Sequence, residues 1–209
     1  MSVFLEYLRD NVQRNPDREV LFNEIHTTGI SYGELDELSG KVYAWLKEQG
    51  LGKDDFVLIN LPRSVLPVIA MIGIWKAGAA WVLVEDTYAP ERIAFIRNDC
   101  GCKAEINNDN WEQIMRRTSL TGEEVSDAHD AAFAVYTSGS TGKPKGVLHE
   151  WGGLDHKCRR LRENGNIPFA QKDRFALLSP LNFVASTIVL TNNLPLFGVR
   201  LYNCLLRYS

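Results

Sequence analysis

The feature that most constrains the fold is a recurring pattern of short apolar runs separated by helical segments. The clearest run covers residues 56–61, in which Asn60 is the single polar side chain. A continuous apolar run of this length is typical of a strand that is buried on both faces of a parallel sheet. Comparable runs follow at 79–84 and 131–136. The alternation predicts βαβ units with right-handed crossovers, so we expect an α/β fold with a mainly parallel sheet flanked by helices.

Several predicted helices have recognisable ends. Ser31 and Glu34 have the spacing of a capping box at the start of one helix, and Gly50 provides its stop. Ser64 is predicted to cap a second helix, which runs through Lys76. The other predicted helices cover 4–12, 90–99, a segment that starts near residue 151 or 152, and 185–197. Further strands are expected at 103–106, 146–149, 174–179 and 199–202.

The composition is that of a globular chain that has no strongly charged surface for binding a partner. Of its 209 residues, 45% are hydrophobic, which is enough for a core, and 23% are charged. The net charge is −3 and no basic block occurs, so we expect neither nucleic acid nor a membrane surface as a partner. The basic groups at 116–117 and 157–162 are interpreted as solvated helix faces. The apolar runs are too short to span a bilayer.

The cysteines do not predict a metal site. They lie at positions 100, 102, 158 and 204, without a Cys-x-x-Cys pair, and the chain has only four histidines. Because zinc sites need closely spaced pairs of ligands, no metal ligand is assigned. Cys100 and Cys102 flank Gly101 near a predicted helix end, where we interpret them as ordinary thiols. The sequence opens without the layout of a signal peptide, and we expect a reducing, cytoplasmic setting.

The chemistry of the chain is concentrated in residues 136–146, at the end of a predicted strand. This stretch reads Tyr-Thr-Ser-Gly-Ser-Thr-Gly-Lys-Pro-Lys-Gly and holds three glycines, four Ser or Thr hydroxyls and two lysines. Glycines let the backbone approach an anion, successive N–H groups form an anion nest, and lysine adds positive charge. A loop of this composition after a buried strand predicts a phosphate-binding site.

The loop differs from the P-loop of GTPases and kinase-like ATPases. The P-loop has four residues between two glycines, followed by Lys and then Ser or Thr. Here Pro144 stands five residues after Gly139, and Lys143 is followed by that proline rather than by a hydroxyl. A P-loop ATPase is therefore disfavoured. A solvated glycine-rich turn is also disfavoured, because few turns need so many phosphate-type donors together.

The segment Thr-Ser-Gly-Ser-Thr-Gly-Lys-Pro-Lys-Gly at 137–146 resembles the signature loop of the adenylate-forming, or AMP-binding, enzymes. This superfamily contains acyl- and aryl-CoA synthetases, the adenylation domains of nonribosomal peptide synthetases, and luciferases. Segments 30–35, 75–84 and 90–93 also resemble the family's pattern, in the family's order. The resemblance is strongest to the peptide synthetase adenylation domains, and acyl-CoA synthetases share the pattern.

The resemblance covers nearly the whole chain but only part of the family's catalytic unit. Family members continue into an adenine-binding segment, a ribose-binding Asp, a hinge and a small C-terminal domain that carries the catalytic lysine. We therefore expect residues 1–209 to be the N-terminal part of the large domain, with a sub-boundary in the polar segment 118–130 and without the small domain. Such a chain is expected to be inactive alone and to self-associate through apolar surface and strand edges.

The resemblance implies an ATP-dependent ligase that activates a carboxylic acid. The acid attacks the α-phosphate of ATP, releases pyrophosphate, and passes as an acyl adenylate to a thiol of coenzyme A or of phosphopantetheine on a carrier protein. The implied cofactors are ATP and the Mg²⁺ that accompanies it. The implied ATP-binding residues are Thr137, Ser138, Gly139, Ser140, Thr141, Gly142, Lys145 and Gly146. Lys145, rather than Lys143, matches the family's Pro-Lys-Gly, and no catalytic residue is assigned.

Two positions depart from the family's pattern. Amino-acid-activating members carry Phe-Asp-x-Ser, whose Asp pairs with the substrate α-ammonium, whereas this chain has Phe183 and Val184 there. Leaving a buried ammonium ion unpaired costs several kcal/mol, so an aryl, hydroxy or fatty acid is favoured over an amino acid. The alternatives are that Val184 is a core residue, or that the match is one position out of register. Trp151 stands where many members have His, and it either lines an acyl pocket or packs in the core.

Two hypotheses of different classes follow. In the first, the chain is the N-terminal part of a carboxylic acid-activating ligase. In the second, it is a truncated, non-catalytic fragment that binds nucleotide or interacts with partners. The two differ in what is encoded after residue 209, because only the first requires the remaining parts of the enzyme.

Overall fold

The structure of the protein is a computed structural model, which describes residues 2–23, 29–138, 143–163, 174–194 and 198–201. Within these residues the chain forms seven α-helices and nine β-strands. The helices are α1 (Val3–Arg14), α2 (Tyr32–Glu48), α3 (Leu66–Lys76), α4 (Pro90–Asp99), α5 (Asn108–Met115), α6 (Trp151–Glu163) and α7 (Val184–Asn193). The strands are β1 (Glu19–Asn23), β2 (Ile30–Ser31), β3 (Phe56–Asn60), β4 (Ala80–Leu83), β5 (Ala104–Asn107), β6 (Ala131–Ser138), β7 (Pro144–Glu150), β8 (Arg174–Leu177) and β9 (Gly198–Leu201).

The larger sheet has five strands in the order β5-β3-β4-β6-β7. Strands β5, β3, β4 and β6 are parallel to one another. Strand β7 returns antiparallel to β6. Side chains of this sheet pack into apolar clusters on both faces. Val57 of β3 belongs to a cluster with Trp75 of α3, and its neighbour Leu58 belongs to a second cluster with Ile96 of α4. The predicted α/β fold with a mainly parallel, helix-flanked sheet is confirmed.

A second sheet joins residues from opposite ends of the chain. Its order is β2-β1-β9-β8, and β1 runs parallel to β9 with Leu21 opposite Val199. Strands β8 and β9 agree with the predicted strands at 174–179 and 199–202. Strands β1 and β2 and helix α5 were not predicted, because these elements are too short to establish a periodic pattern in the sequence.

The helix ends follow the predicted capping in all but one case. The Ser31 hydroxyl accepts from the Glu34 N–H at 3.2 Å, and the Ser31 N–H donates to the Glu34 carboxylate at 2.8 Å, which completes the capping box. Gly50 follows α2 with φ of +70°. The prediction that Ser64 caps α3 is wrong, because Val65 is the N-cap, although the Ser64 hydroxyl accepts from the Leu66 N–H at 3.2 Å. Helix α7 ends at Asn193, earlier than predicted.

Segment 118–130 has no helix or strand, and it is packed against the helices. Its Leu120 N–H donates to the Gly40 carbonyl at 3.1 Å. Glu123, whose side chain is 6% exposed, pairs with Arg9 at 2.7 Å. The segment is therefore held by contacts with α1 and α2, and the domain sub-boundary within it stays a prediction. In the described part of the chain, none of the helices has the length and apolar character needed to cross a bilayer.

Candidate functional site

The phosphate-loop motif lies at the carboxyl edge of the larger sheet. Strands β4 and β6 are parallel, with Val82 opposite Ala134, so their carboxyl ends point to the same edge. In open α/β sheets, ligands bind outside this edge. The loop residues Gly139, Ser140, Thr141 and Gly142 follow directly after Ser138 and lie outside the described residues.

The hairpin of β6 and β7 places two of the predicted ATP-binding residues opposite each other. Thr137 faces Lys145 across the hairpin, and Ser138 faces Pro144. Directly opposed residues of an antiparallel pair project from the same face. Thr137 and Lys145 are both exposed, and no described carboxylate pairs with Lys145. A Thr and a Lys side chain therefore project from the same face of the hairpin, where the chain enters and leaves the loop.

Gly146 lies under an aromatic ring. It faces Tyr136 across the hairpin, and a Cβ at position 146 would lie 2.9 Å from Cζ of that ring. The Tyr136 hydroxyl donates to the Asp99 carboxylate at 2.7 Å, which holds the ring against the hairpin. The structure therefore supplies a packing reason for the glycine, separate from the predicted role in ATP binding.

A cavity of about 430 Å³ opens between β7, α6 and α7. Its walls are formed by Phe133, Leu148, His149, Glu150, Gly153, Leu154, Lys157, Val184 and Ile188. Val184, a predicted pocket residue, lines this cavity and also packs against the core. Phe183 is the residue before α7, is 56% exposed, and is not among the residues of the cavity wall.

His149 is a wall residue that the sequence analysis did not assign to the pocket. Its ring stacks on Phe133 with centroids 4.4 Å apart and an interplanar angle of 10°. Burial, together with the charge of Lys157, holds the pKa of His149 below its ordinary value. Its buried Nε2 has no hydrogen-bond partner among the described residues. The neutral ring can therefore donate or accept one hydrogen bond at this atom.

The partner of His149 could not be read from the sequence, because the hairpin register decides which ring lies opposite it. Trp151, in contrast, is 1% exposed and lies 5.2 Å from Trp75 between ring centroids. It is not part of the cavity wall. Of the two alternatives for Trp151, the structure favours core packing.

A second cavity, of about 450 Å³, lies at the carboxyl ends of β3 and β4. Its wall combines apolar residues with Arg63, Glu85 and Asp86. Arg63 donates to the carbonyls of Leu177 and Leu178, each at 3.1 Å, so it also ties this edge to the segment after β8. The described residues contain no group of three or more metal-ligating side chains.

Ligands of open, mainly parallel α/β sheets commonly bind outside the carboxyl edge, where this hairpin ends. Comparison with known sequences makes the assignment specific. The chain belongs to the AMP-binding enzyme family, whose sequence pattern matches residues 8–202. Enzymes of this adenylate-forming family use ATP.

Curated relatives include large bacterial peptide synthases. Surfactin synthase subunit 1 of Bacillus subtilis (strain 168) is 34% identical over 186 residues, which cover 83% of this chain and 5% of that protein. Zwittermicin A synthase ZmaJ of Bacillus cereus is 31% identical over 206 residues, which cover 89% of this chain and 38% of that protein. The chain therefore spans a small part of these relatives.

Solved structures agree with the family and the fold. The Klebsiella oxytoca NpsA N-terminal subdomain, in complex with 3-hydroxyanthranilyl-AMSN, has a TM-score of 0.80 and 26% identity, covering 96% of this chain and 53% of that one. The N-terminal domain of FACL13 from Mycobacterium tuberculosis has a TM-score of 0.82 and 22% identity. The match covers 97% of this chain and 57% of that one. At that identity the second similarity shows the fold alone. The chain spans about half of each structure.

Proposed function

We propose that the chain is the N-terminal part of an ATP-dependent ligase that converts a carboxylic acid to its acyl adenylate, and that it supplies the phosphate-binding loop. The opposed, exposed pair Thr137 and Lys145 at the base of the signature loop carries this proposal. In the reaction, a carboxylate oxygen attacks the α-phosphate while pyrophosphate leaves. Because two anions must approach each other, the protein acts mainly by positioning and charge stabilisation.

The residues around the loop suit the phosphates of ATP. Bound ATP, with its Mg²⁺, would supply the adenylyl group that is transferred to the carboxylate. Hydroxyls of Thr137 and Ser138 and the N–H groups of the following loop offer hydrogen-bond donors to phosphate oxygens. Lys145 offers a positive charge that no described carboxylate neutralises. We assign to Lys145 the stabilisation of charge on the departing pyrophosphate.

The cavity beside α7 is proposed to hold the acid. At the position where amino-acid-activating members carry Asp, Val184 lines the wall, so it offers no partner for an α-ammonium. Glu150, the carboxylate of the wall, lies 3.2 Å from Nδ1 of His129 instead. The His149 ring of the wall, which is backed by the buried Phe133, offers an aromatic surface suited to an aromatic or other apolar acid. The ligand of the NpsA structure is an aryl compound, which supports the same class.

The acyl adenylate is proposed to pass to a thiol, either that of coenzyme A or that of a carrier-protein phosphopantetheine. Carrier-protein transfer is supported by the resemblance of the sequence to the adenylation domains of nonribosomal peptide synthetases. Coenzyme A stays an alternative because acyl-CoA synthetases share the sequence pattern. An assay that measures acyl transfer from the adenylate to each thiol acceptor separates coenzyme A from the carrier protein.

The phosphate assignment is tested by ATP–pyrophosphate exchange in the full polypeptide that carries this chain. Replacing Lys145 with Ala is expected to slow exchange about 100-fold, on the scale of losing one transition-state charge stabiliser. Lys143→Ala is the matched control, since Lys143 is a neighbouring exposed lysine outside the Pro-Lys-Gly match, and it is expected to keep most of the activity. Equal losses in both variants, or a large fall in the thermal midpoint of Lys145→Ala alone, contradict the assignment.

The acid class is tested with the same assay and a panel of aryl, hydroxy, fatty and α-amino acids. Exchange is expected with members of the first three classes and not with the amino acids. Val184→Asp is expected to reduce exchange with the preferred acid, because it places a carboxylate in the cavity wall, while Phe183→Asp, outside the wall, is the control. Robust exchange with an α-amino acid by the unmodified protein contradicts the proposed class of acid.

Residues 1–209 alone are expected to show no exchange. Exchange by them alone contradicts the expected need for the remaining parts of the enzyme.

A further inference from the structure

Cys100 and Cys102 lie close together at the end of α4, with their Sγ atoms 2.7 Å apart. The backbone sets this proximity. Gly101 has φ of +63°, its N–H donates to the Asn98 carbonyl at 3.2 Å, and the Cys102 N–H donates to the Arg97 carbonyl at 3.0 Å. These two bonds form the Schellman motif that commonly ends helices. The left-handed glycine turns the chain back sharply, so the cysteines on its two sides converge.

The pair remains accessible, unlike the third described cysteine. Cys100 and Cys102 are both partly exposed, and they pack at the border of the apolar cluster that contains Ile96 and Tyr136. Cys158 is 5% exposed, within the core beneath α6. A small reagent can therefore reach the pair more readily than it can reach Cys158.

The two sulfurs are chemically unequal. A hydrogen bond joins the two sulfurs, and this bond is the main cause that lowers the pKa of Cys100. The same bond, followed by burial, raises the pKa of Cys102. Thiolates, rather than thiols, attack disulfides, so Cys100 is the attacking sulfur and Cys102 retains its proton until it is needed.

We propose that Cys100 and Cys102 form a redox-active dithiol that is oxidised to an intramolecular disulfide by small-molecule disulfides. In the first step the Cys100 thiolate attacks one sulfur of the oxidant, for example glutathione disulfide, and one glutathione thiolate leaves. In the second step Cys102 loses its proton and attacks Sγ of Cys100, and the second glutathione leaves. Two protein thiols are oxidised and one glutathione disulfide is reduced to two thiols, so electrons and protons balance. Excess dithiol reverses the reaction.

The test treats the native chain with glutathione disulfide, quenches it in denaturant with an alkylating reagent, and digests it with trypsin. Cleavage after Arg97 and Lys103 releases the peptide Asn-Asp-Cys-Gly-Cys-Lys. This peptide is expected to escape alkylation and to weigh two hydrogen atoms less than its reduced form. Cys158 in the same sample is expected to be alkylated, which shows that it stayed reduced.

Single serine variants separate the two roles. Cys102→Ser is expected to stop at a mixed disulfide between Cys100 and glutathione, because the second attacking sulfur is missing. Cys100→Ser is expected to stop at a mixed disulfide on Cys102, and limited alkylation of the unmodified protein, in which both thiols are present, is expected to label Cys100 before Cys102. Thermal midpoints of both variants check that the fold is kept.

Three outcomes overturn the proposal. The first is accumulation of glutathione on Cys100 of the unmodified protein without an internal disulfide. The second is equal labelling of Cys100 and Cys102 in the limited alkylation of the unmodified protein. The third is oxidation in which Cys100 or Cys102 pairs with Cys158 or Cys204 in preference to its neighbour.

Discussion

At the scale of single residues, some positions that match the family's pattern are explained by packing in this fold. Lys76 of the Lys-Ala-Gly segment is 3% exposed, and its Nζ lies 2.6 Å from the Asp36 carboxylate. Gly78 of the same segment has φ of +76°, a conformation that glycine adopts without strain. The sequence placed both residues at a helix end, but it could not show that Asp36, on another helix, is the partner of Lys76.

Gly146 provides a residue-scale prediction. Replacing it with Ala is expected to lower the free energy of unfolding by about 1–3 kcal/mol, because the added Cβ would lie 2.9 Å from Cζ of Tyr136. Denaturant unfolding measures the change. The control is Gly153→Ala in α6, where a Cβ would meet no atom within 4 Å, and it is expected to be neutral or stabilising by up to about 1 kcal/mol.

The cause is isolated by a double-mutant cycle. In a Tyr136→Ala background the ring is gone, so Gly146→Ala is expected to cost much less than in the unmodified protein. An unchanged cost in that background would show that the ring is not responsible.

At the scale of elements, local signals account for what the sequence predicted well. Helices α2 and α4 begin and end as predicted, because a capping box, a proline in the first turn and C-terminal glycines act over neighbouring residues. Ser64 was predicted as the N-cap of α3 but lies one residue before it. A serine at that position can still accept a hydrogen bond from the first turn, as Ser64 does from the Leu66 N–H. The polar composition of segment 118–130 is that of a connection between elements, but its contacts with α1 and α2 follow from tertiary packing.

Asp130, at the end of that segment, has a structural role. Its carboxylate accepts from the Asp127 N–H at 2.8 Å and pairs with Lys53 at 2.8 Å. Its carbonyl accepts from the Trp151 N–H at 3.1 Å, at the start of α6. The residue therefore connects the beginning of β6 to the helix that forms one wall of the proposed acid cavity.

Asp130→Asn provides a prediction of pH dependence. The Asp127 N–H and the charge of Lys53 hold the pKa of Asp130 below its ordinary value. Its stabilising contribution is therefore present above the unfolded pKa, about 3.9, and is lost as pH falls through the lower folded pKa. The unmodified protein is expected to be more stable than the variant at neutral pH, and this difference should shrink in acid.

Urea unfolding across a pH series measures that difference. Asp17→Asn is the control, because Asp17 is exposed and has no described partner, so its replacement should change stability little. A gap for Asp130→Asn that stays constant into acid, or grows, contradicts the assigned role of the carboxylate.

At the scale of the whole molecule, contacts between distant segments close the structure. The Tyr32 hydroxyl, at the start of α2, donates to the Leu194 carbonyl after α7 at 2.8 Å, and both residues are fully buried. Burial raises the pKa of Tyr32 to about 12, so the hydroxyl keeps its proton at neutral pH. This bond joins positions 162 residues apart.

Tyr32→Phe is expected to lower the free energy of unfolding by about 1–3 kcal/mol, because it leaves the buried Leu194 carbonyl without its donor. Hydrogen exchange is expected to increase at the end of α7. The matched control is Tyr43→Phe, which removes a hydroxyl bonded to Glu124 at 2.9 Å. That carboxylate keeps Lys47 as a partner and reaches solvent, so a smaller loss is expected. Equal losses in the two variants contradict a special role for the Tyr32 bond.

The sequence alone determined the features that depend on neighbouring residues: the buried runs of the parallel sheet, the main helix caps, the composition of the loop at 136–146 and, through their order, the enzyme family. Tertiary structure decided the pairing of Leu21 with Val199, the stack of Phe133 on His149 and the convergence of Cys100 and Cys102. The first two depend on strand register across separate segments, and the third depends on the left-handed turn at Gly101. Local patterns report intrinsic preference and burial, whereas register and turn geometry are selected by the packing of the complete domain.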